Sequence, residues 1–279
     1  MLFRSHRSGL LAGAWNRTAS KANALAHETG CRAFGTPGEL VAACEVIVTC
    51  VSADADLLAV VDAIRPTLKP GSIVIDCSTV AADTARTASS RLAGIGAAFL
   101  DCPVSGGVEG ARNATLAIMC GGDPAAFERA KPVLEALGKT VMLMGPSGAG
   151  QATKATNQIL CAGAIQVAAE AMAFAQAEGL PLERVIEILG KGAGASWYFV
   201  QRAPYMARGE YPAGFRVRLH DKDLRICREM AARHGATLPV IEMTLADYAK
   251  LLAAGHGEED ISTIFRLKAP LFASPESDG

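Results

Sequence analysis

The chain predicts a doubly wound, mostly parallel α/β sheet domain over residues 1–146, followed by an all-α domain over 147–279. Three observations lead there. Between residues 10 and 145, short apolar runs alternate with amphipathic stretches. After Gly145-Pro146-Ser147-Gly148 the texture changes to helix without strands. Half of the 279 residues are hydrophobic, enough for two cores of ordinary size.

In chain order, the strand candidates are Leu10–Trp15, Glu45–Val51, Ser72–Ser78, Ala98–Val104, Leu116–Cys120 and Thr140–Met144. The early runs are apolar on both faces, as parallel strands covered by helices must be, and the later ones read as antiparallel additions. Helical periodicity marks Thr84–Ala93 and Pro124–Leu137, and Thr36-Pro37-Gly38, Lys69-Pro70-Gly71 and Gly121-Gly122-Asp123-Pro124 supply turns. In the second domain a long helix begins at Gln151 and runs to the stop signal of Gly179 and Pro181. Leu182–Leu189, Leu219–His234, Leu238–Ala254 and Asp260–Leu267 follow as helices. The polar tail Ser274–Gly279 is expected to be disordered.

Composition excludes several classes. Lys+Arg of 27 against Asp+Glu of 28 gives a net charge of -1, with no basic run interleaved with aromatics, so nucleic acid is not an expected partner. No uninterrupted apolar stretch reaches the roughly 18 residues that span a bilayer. Met1–Ser8 lacks the apolar middle of a signal peptide, so a soluble, cytoplasmic protein without a membrane partner is expected. The eight cysteines include no C-x-x-C pair and read as reduced core residues. Five scattered histidines without H-E-x-x-H leave no metal site expected.

Chemistry concentrates in five segments. Gly148-Ala149-Gly150-Gln151-Ala152-Thr153-Lys154-Ala155-Thr156-Asn157-Gln158 places a lysine in the first turns of a long helix behind two glycines. A 3.6-residue period puts Lys154, Asn157 or Gln158, and Cys161 on one face, where the lysine can give a proton to a small ligand. Asp101–Ala111 contains Ser105-Gly106-Gly107, whose consecutive backbone N–H groups beside a hydroxyl suit a carboxylate, although a lone Ser-Gly-Gly also fits an ordinary turn. Asp76-Cys77-Ser78-Thr79 ends a strand, and strand ends of open parallel sheets face the ligand crevice, which makes Thr79 a candidate cofactor contact. After the first strand candidate, Asn16, Arg17, Thr18 and Lys21 occupy the place where a dinucleotide fold reads the adenosine ribose. An acidic residue there favours NAD; this neutral and cationic set suits the extra phosphate of NADP. The alternative is a helix capped by Thr18 or Ser20 with Arg17 and Lys21 solvated. Finally, Lys222, near the start of a helix where a cation is unfavourable, calls for an anionic ligand or for an ion pair with Asp221 or Asp223.

Together these segments resemble the β-hydroxyacid dehydrogenase family over about residues 9 to 268. The substrate motif resembles Asp101–Gly122, the G-x-G-x-x-x-K motif resembles Gly148–Lys154, and the cofactor lysine of K-D-L resembles Lys222-Asp223-Leu224. The resemblance implies a Rossmann-like NADP-binding domain and an all-helical substrate and dimerisation domain. It further implies Lys154 as acid/base, Ser105, Gly106 and Gly107 on the substrate carboxylate, and Thr79 and Lys222 on the cofactor. The implied reaction interconverts a small hydroxy acid and its semialdehyde or keto acid with NADPH, NAD being the less favoured cofactor. A homodimer or homotetramer is expected, because the apolar spine Ile159–Phe174 exceeds what the short helices can cover.

Three departures from the family pattern stand out. The opening strand and G-x-G-x-x-G loop are not in the sequence, Met1–Ser8 reading as the end of the helix that follows that loop. This leaves an incomplete phosphate cradle as the expectation. Ala114 replaces a usual glycine. Asparagine stands three residues after the lysine, Asn157, with Gln158 at four, so either amide can face substrate. An imine reductase of the same architecture is a rival that Lys154 argues against; a non-catalytic homologue is a second, opposed by the retained Lys154, Ser105 and Lys222.

Overall fold

The computed structural model describes residues 2–272; the tail Ser274–Gly279 lies outside them. The described residues form two compact units that divide between Lys154 and Ala155.

The first unit is built on a six-stranded sheet. Its strands are β3 (Val46–Thr49), β4 (Ile73–Asp76), β5 (Ala98–Asp101), β6 (Val104–Ser105), β7 (Leu116–Gly121) and β8 (Gly138–Gly145). β3, β4 and β5 run parallel, all four residues of β4 being buried, which is why these segments read as apolar on both faces. β7 runs antiparallel to β5 and β6, but β8 is parallel to β7. Both late strands therefore run antiparallel to β3, β4 and β5, as expected, and α7 (Pro124–Leu137) carries the chain back so that β8 lies parallel to its neighbour β7. The run Ala98–Val104 is two strands: Pro103 has no N–H to give to the ladder, and its carbonyl accepts from Met119 N instead. β1 (Gly13–Ala14) and β2 (Arg32–Ala33) pair in parallel as a separate two-stranded sheet.

Helices α1 (Leu2–Arg7), α2 (Ala19–Thr29), α3 (Pro37–Ala42), α4 (Asp54–Ile64), α5 (Ala82–Ala93) and α6 (Gly107–Asn113) complete this unit with α7. Val61, Ile64, Val74, Ala85 and Leu92 fill the core on one side, Ile75, Leu100, Ile118 and Leu134 the core on the other. The register aligns the last residues of three parallel strands, Thr49, Asp76 and Asp101, side by side across the sheet.

The second unit is helical. It contains most of α8 (Ala149–Ala177), then α9 (Leu182–Leu189), α10 (Trp197–Arg208), α11 (Val217–Ala232), α12 (Pro239–Ala253) and α13 (Phe265–Lys268), with short 3-10 turns around α13. Ala162, Ile165, Ala169 and Met172 of α8 pack with Leu224, Ile241, Tyr248 and Ile264. By length and composition α8 could cross a bilayer, since its polar interruptions leave the average apolar. Yet 56% of its most apolar window is buried, as in a core helix. α10 lacks a clear sequence signal because Pro204 sits inside it; Ser196 caps its start by accepting from Phe199 N, and Gly209 ends it at φ 66°.

Of the eight cysteines, five are buried, but Cys31 and Cys44 are half-buried and Cys50 is exposed. Cys50 follows the last residue of β3 and so leaves the core with the loop. Among the described residues no group of three or more His, Cys, Asp or Glu side chains could hold a metal ion.

Candidate active site

The lysine helix is anchored at its start by one buried carboxylate. Asp101, with no exposed surface, accepts from Gly148 N at 2.7 Å and from Gln151 N at 2.9 Å, so it satisfies N–H groups at the first turn of α8 that have no partner within the helix. Burial pushes its carboxyl above the usual range, and these backbone donors oppose that shift. The two glycines of the motif make the anchor sterically feasible. Gly148 has φ 90°, and a Cβ on Gly150 would stand 2.3 Å from Asp101 O and 2.4 Å from Met119 O.

Lys154 is 7% exposed, and its Nζ donates to Val104 O at 2.9 Å. That bond brings the ammonium to the residue preceding Ser105. Ser105 is half-buried, whereas Gly106 and Gly107 are exposed at φ 129° and 64°, values that a side chain would oppose. The bend turns directly into α6, which ends on Ala114 in the left-handed region at φ 54°. The usual family glycine would suit that geometry better.

A second buried carboxylate, Asp76, sits one strand over. Its Oδ1 accepts from Thr49 Oγ1 at 2.8 Å and from Ser78 Oγ at 2.7 Å, while its buried Oδ2 has no hydrogen-bond partner among the described residues. Burial pushes the Asp76 carboxyl up to about 6, against those hydroxyl donors and with a small contribution from the nearby Asp101. Ser78 and Val80 are buried and Thr79 between them is half-buried.

In the second unit, Asp223 joins the two other motifs. Its Oδ1 lies 3.0 Å from Lys222 Nζ, and its Oδ2 accepts from Gln158 Nε2 at 2.7 Å. Lys222 is the sixth residue of α11, beyond the first turn, and pairs with Asp223. Gln158 is buried and accepts from Asn157 Nδ2 at 2.8 Å; Asn157 is half-buried and also reaches Cys161 Sγ at 3.3 Å.

Asn16, Arg17, Thr18 and Lys21 are all exposed around the start of α2. Asn16 Oδ1 accepts from Thr18 N at 2.9 Å, and Thr18 stands at the N-cap position without a capping side-chain bond. Arg17 pairs with Asp56 at 3.1 Å while its side chain remains 84% exposed. The sequence reading named neither Gln151 nor the carboxylates of Asp76 and Asp101 as site residues. The signal for the two carboxylates was an acid at the last position of two successive strands.

Residues 1–145 match the family described as the NAD binding domain of 6-phosphogluconate dehydrogenase, and residues 148–268 the one described as NAD-binding of NADP-dependent 3-hydroxyisobutyrate dehydrogenase. The chain belongs to the β-hydroxyacid dehydrogenase family. It is an NAD(P)-dependent oxidoreductase of the 3-hydroxyisobutyrate dehydrogenase type, with a Rossmann-type domain and a helical C-terminal domain. An uncharacterized oxidoreductase of Shewanella frigidimarina is 38% identical over 90% of this chain and 87% of that relative. The NAD-dependent L-serine dehydrogenase of Pseudomonas aeruginosa is 36% identical over 75% and 72%. The solved 3-hydroxyisobutyrate dehydrogenase of Mycobacterium tuberculosis with L-serine superposes with a TM-score of 0.86 at 30% identity, covering 95% of this chain and 92% of that one.

Proposed function

We propose that this β-hydroxyacid dehydrogenase uses NADP(H) to interconvert a small 2- or 3-hydroxy acid and its semialdehyde or keto acid, with Lys154 as the acid/base. The observation that carries the reading is the bond from Lys154 Nζ to Val104 O, which sets the ammonium beside the Ser105-Gly106-Gly107 bend. A carboxylate held by Ser105 Oγ and the N–H groups of the two glycines would present its neighbouring carbon atoms to the lysine. Relatives named for L-serine and 3-hydroxyisobutyrate support this class, since both compounds carry a hydroxyl two carbons from a carboxylate.

The nicotinamide, when bound, supplies or accepts the hydride at the reacting carbon. In reduction Lys154 gives its proton to the carbonyl oxygen that becomes the hydroxyl; in oxidation the neutral amine takes that proton back. Asn157 is the amide we assign to substrate. Gln158 spends its Nε2 on Asp223 and is placed to orient Asn157 through its Oε1. Thr79 and Lys222 are assigned to the cofactor. Asn16, Arg17, Thr18 and Lys21 fit the extra phosphate of NADP, because an exposed guanidinium with two hydroxyl- or amide-bearing neighbours and a lysine is a phosphate donor set. In this reading residues 1–146 are the NADP-binding domain and 147–279 the helical substrate and dimerisation domain.

Replacing Lys154 with Ala tests the reading. The expected result is a kcat lower by about 10²–10⁴-fold with NADPH affinity nearly unchanged. Activity within a few-fold of wild type toward small hydroxy acids and semialdehydes would remove Lys154 from the mechanism.

A further inference from the structure

Gln151 stands three residues before Lys154, on the same side of α8, and is 1% exposed. Its side chain clasps the loop after β4 at both ends: Nε2 donates to Ser78 O at 2.8 Å, and Oε1 accepts from Val80 N at 3.2 Å. The residue between those two bonds is Thr79. The backbone of Gln151 is held in turn, its N–H given to Asp101 Oδ2 at 2.9 Å. One residue therefore ties three things together: the end of β5, the first turn of the lysine helix, and the backbone on either side of the half-buried threonine. Ser78 is fixed independently from its other side, because its Oγ accepts from Val51 N at 2.8 Å and donates to Asp76. With the far side of the loop already pinned, the amide of Gln151 decides where Thr79 lies relative to Lys154.

The two bonds also demand an amide. Ser78 O needs a donor and Val80 N needs an acceptor, side by side, and all four polar atoms lie among buried residues. A side chain that supplies only one of the two leaves a backbone group unsatisfied, which costs more than the bond itself contributes.

We propose that Gln151 is a positioning residue for the reaction: it locks the Ser78-Thr79-Val80 loop to the start of the lysine helix and so sets the cofactor against Lys154. The inference rests on the reading of Thr79 as a cofactor contact and of Lys154 as acid/base. Gln151 touches neither cofactor nor substrate in this role; it acts through Thr79.

The test uses the full chain with Gln151→Leu and Gln151→Glu, each also combined with Lys154→Ala. NADPH affinity is read by fluorescence titration, kcat at saturating cofactor, and folding by melting temperature. Losing both bonds in Gln151→Leu should weaken NADPH binding by about 10-fold or more and lower kcat as well. Gln151→Glu keeps the acceptor for Val80 N but regains a donor for Ser78 O only when protonated, so its NADPH affinity relative to wild type at the same pH should improve as the pH falls, the ratio cancelling the titration of Asp76, which holds Ser78 in both proteins. A purely structural residue would lower the melting temperature without that pH signature. The weakening should persist on the Lys154→Ala background, because it acts on cofactor binding; an active Lys154→Ala enzyme would remove the lysine mechanism and leave this measurement intact. If Gln151→Leu does not fold, the pH series of Gln151→Glu decides. Affinity and kcat within two-fold of wild type in the folded variants, with a Gln151→Glu to wild-type affinity ratio that does not change with pH, would overturn the proposal.

Discussion

The buried Asp76 should impose a measurable pH dependence on stability, and Asp76→Asn should remove it. Its carboxyl is held at about 6, against an ordinary value of 3.8. The folded protein thus keeps a proton that the unfolded chain releases. The contribution to stability is fully present below about pH 4 and is lost as the pH rises through 6. At 1.36 kcal/mol for each pKa unit, the whole effect is about 3 kcal/mol, of which about 2 kcal/mol falls between pH 4.5 and 8. Asparagine keeps an oxygen for the hydroxyls of Thr49 and Ser78 and puts an uncharged group where Oδ2 has no partner among the described residues. Urea melts of wild type and variant across that range give the difference directly, because other titrating groups cancel between them. The variant should gain on wild type as the pH rises, by about 2 kcal/mol over the interval. Parallel curves would show that Asp76 titrates at its ordinary value in the folded state, and the account of its burial would fall.

Arg17→Ala should cost NADPH about 10–150-fold in affinity, the loss of a charge-assisted phosphate contact, and leave NADH binding nearly unchanged. The exposed pair with Asp56 gives Arg17 little to lose in stability, so equal weakening of both cofactors would refute its role as phosphate reader. Ala114→Gly should raise stability by about 1 kcal/mol, since Ala114 ends α6 at φ 54°, and an unchanged urea midpoint would argue against strain there. Light scattering at micromolar concentration should give at least a dimer. Leu160, Val167 and Phe174 leave an apolar stripe of 70%, 66% and 53% exposure along α8, and a monomeric mass would exclude its use as an interface.

The order of elements was legible wherever burial on one or two sides left a period in the sequence. β3, β4 and β5, and the helices over Pro124–Leu137 and Leu182–Leu189, lie where apolar spacing puts them. β2, only two residues long, and α10, with Pro204 inside, carry too little local signal; tertiary packing makes them. The reversal between β5 and β7 was visible as a change of pattern, but the parallel return of β8 depends on a pairing that no short segment encodes. The candidate site divides the same way. Lys154, Ser105 and Thr79 follow from motif and strand end, whereas Gln151, Asp76 and Asp101 are recognised only when strand register sets their carboxylates and amide together.

The glycines before Lys154 show how one spacing serves several constraints. In sequence they look like a flexible approach to a helix. In the fold they are contact requirements, Gly148 through its φ of 90° and Gly150 through the backbone oxygens of Asp101 and Met119. Close approach at Gly150 lets Asp101 reach the first turn of α8, and that bond fixes the rotation of the helix about its own axis. With rotation fixed, a residue one position past Gly150 faces the β4 loop, and a residue three further on lies on the same side, within reach of Val104 O. The interval from glycine to glutamine to lysine is therefore set by helix geometry. Moving the lysine by one residue would turn it about 100° away from the Ser105 bend. The double variant Thr153→Lys with Lys154→Thr should accordingly be as inactive as Lys154→Ala, although its composition is unchanged. Activity retained in that exchange would mean that the lysine acts by charge alone, independent of the direction in which the helix presents it.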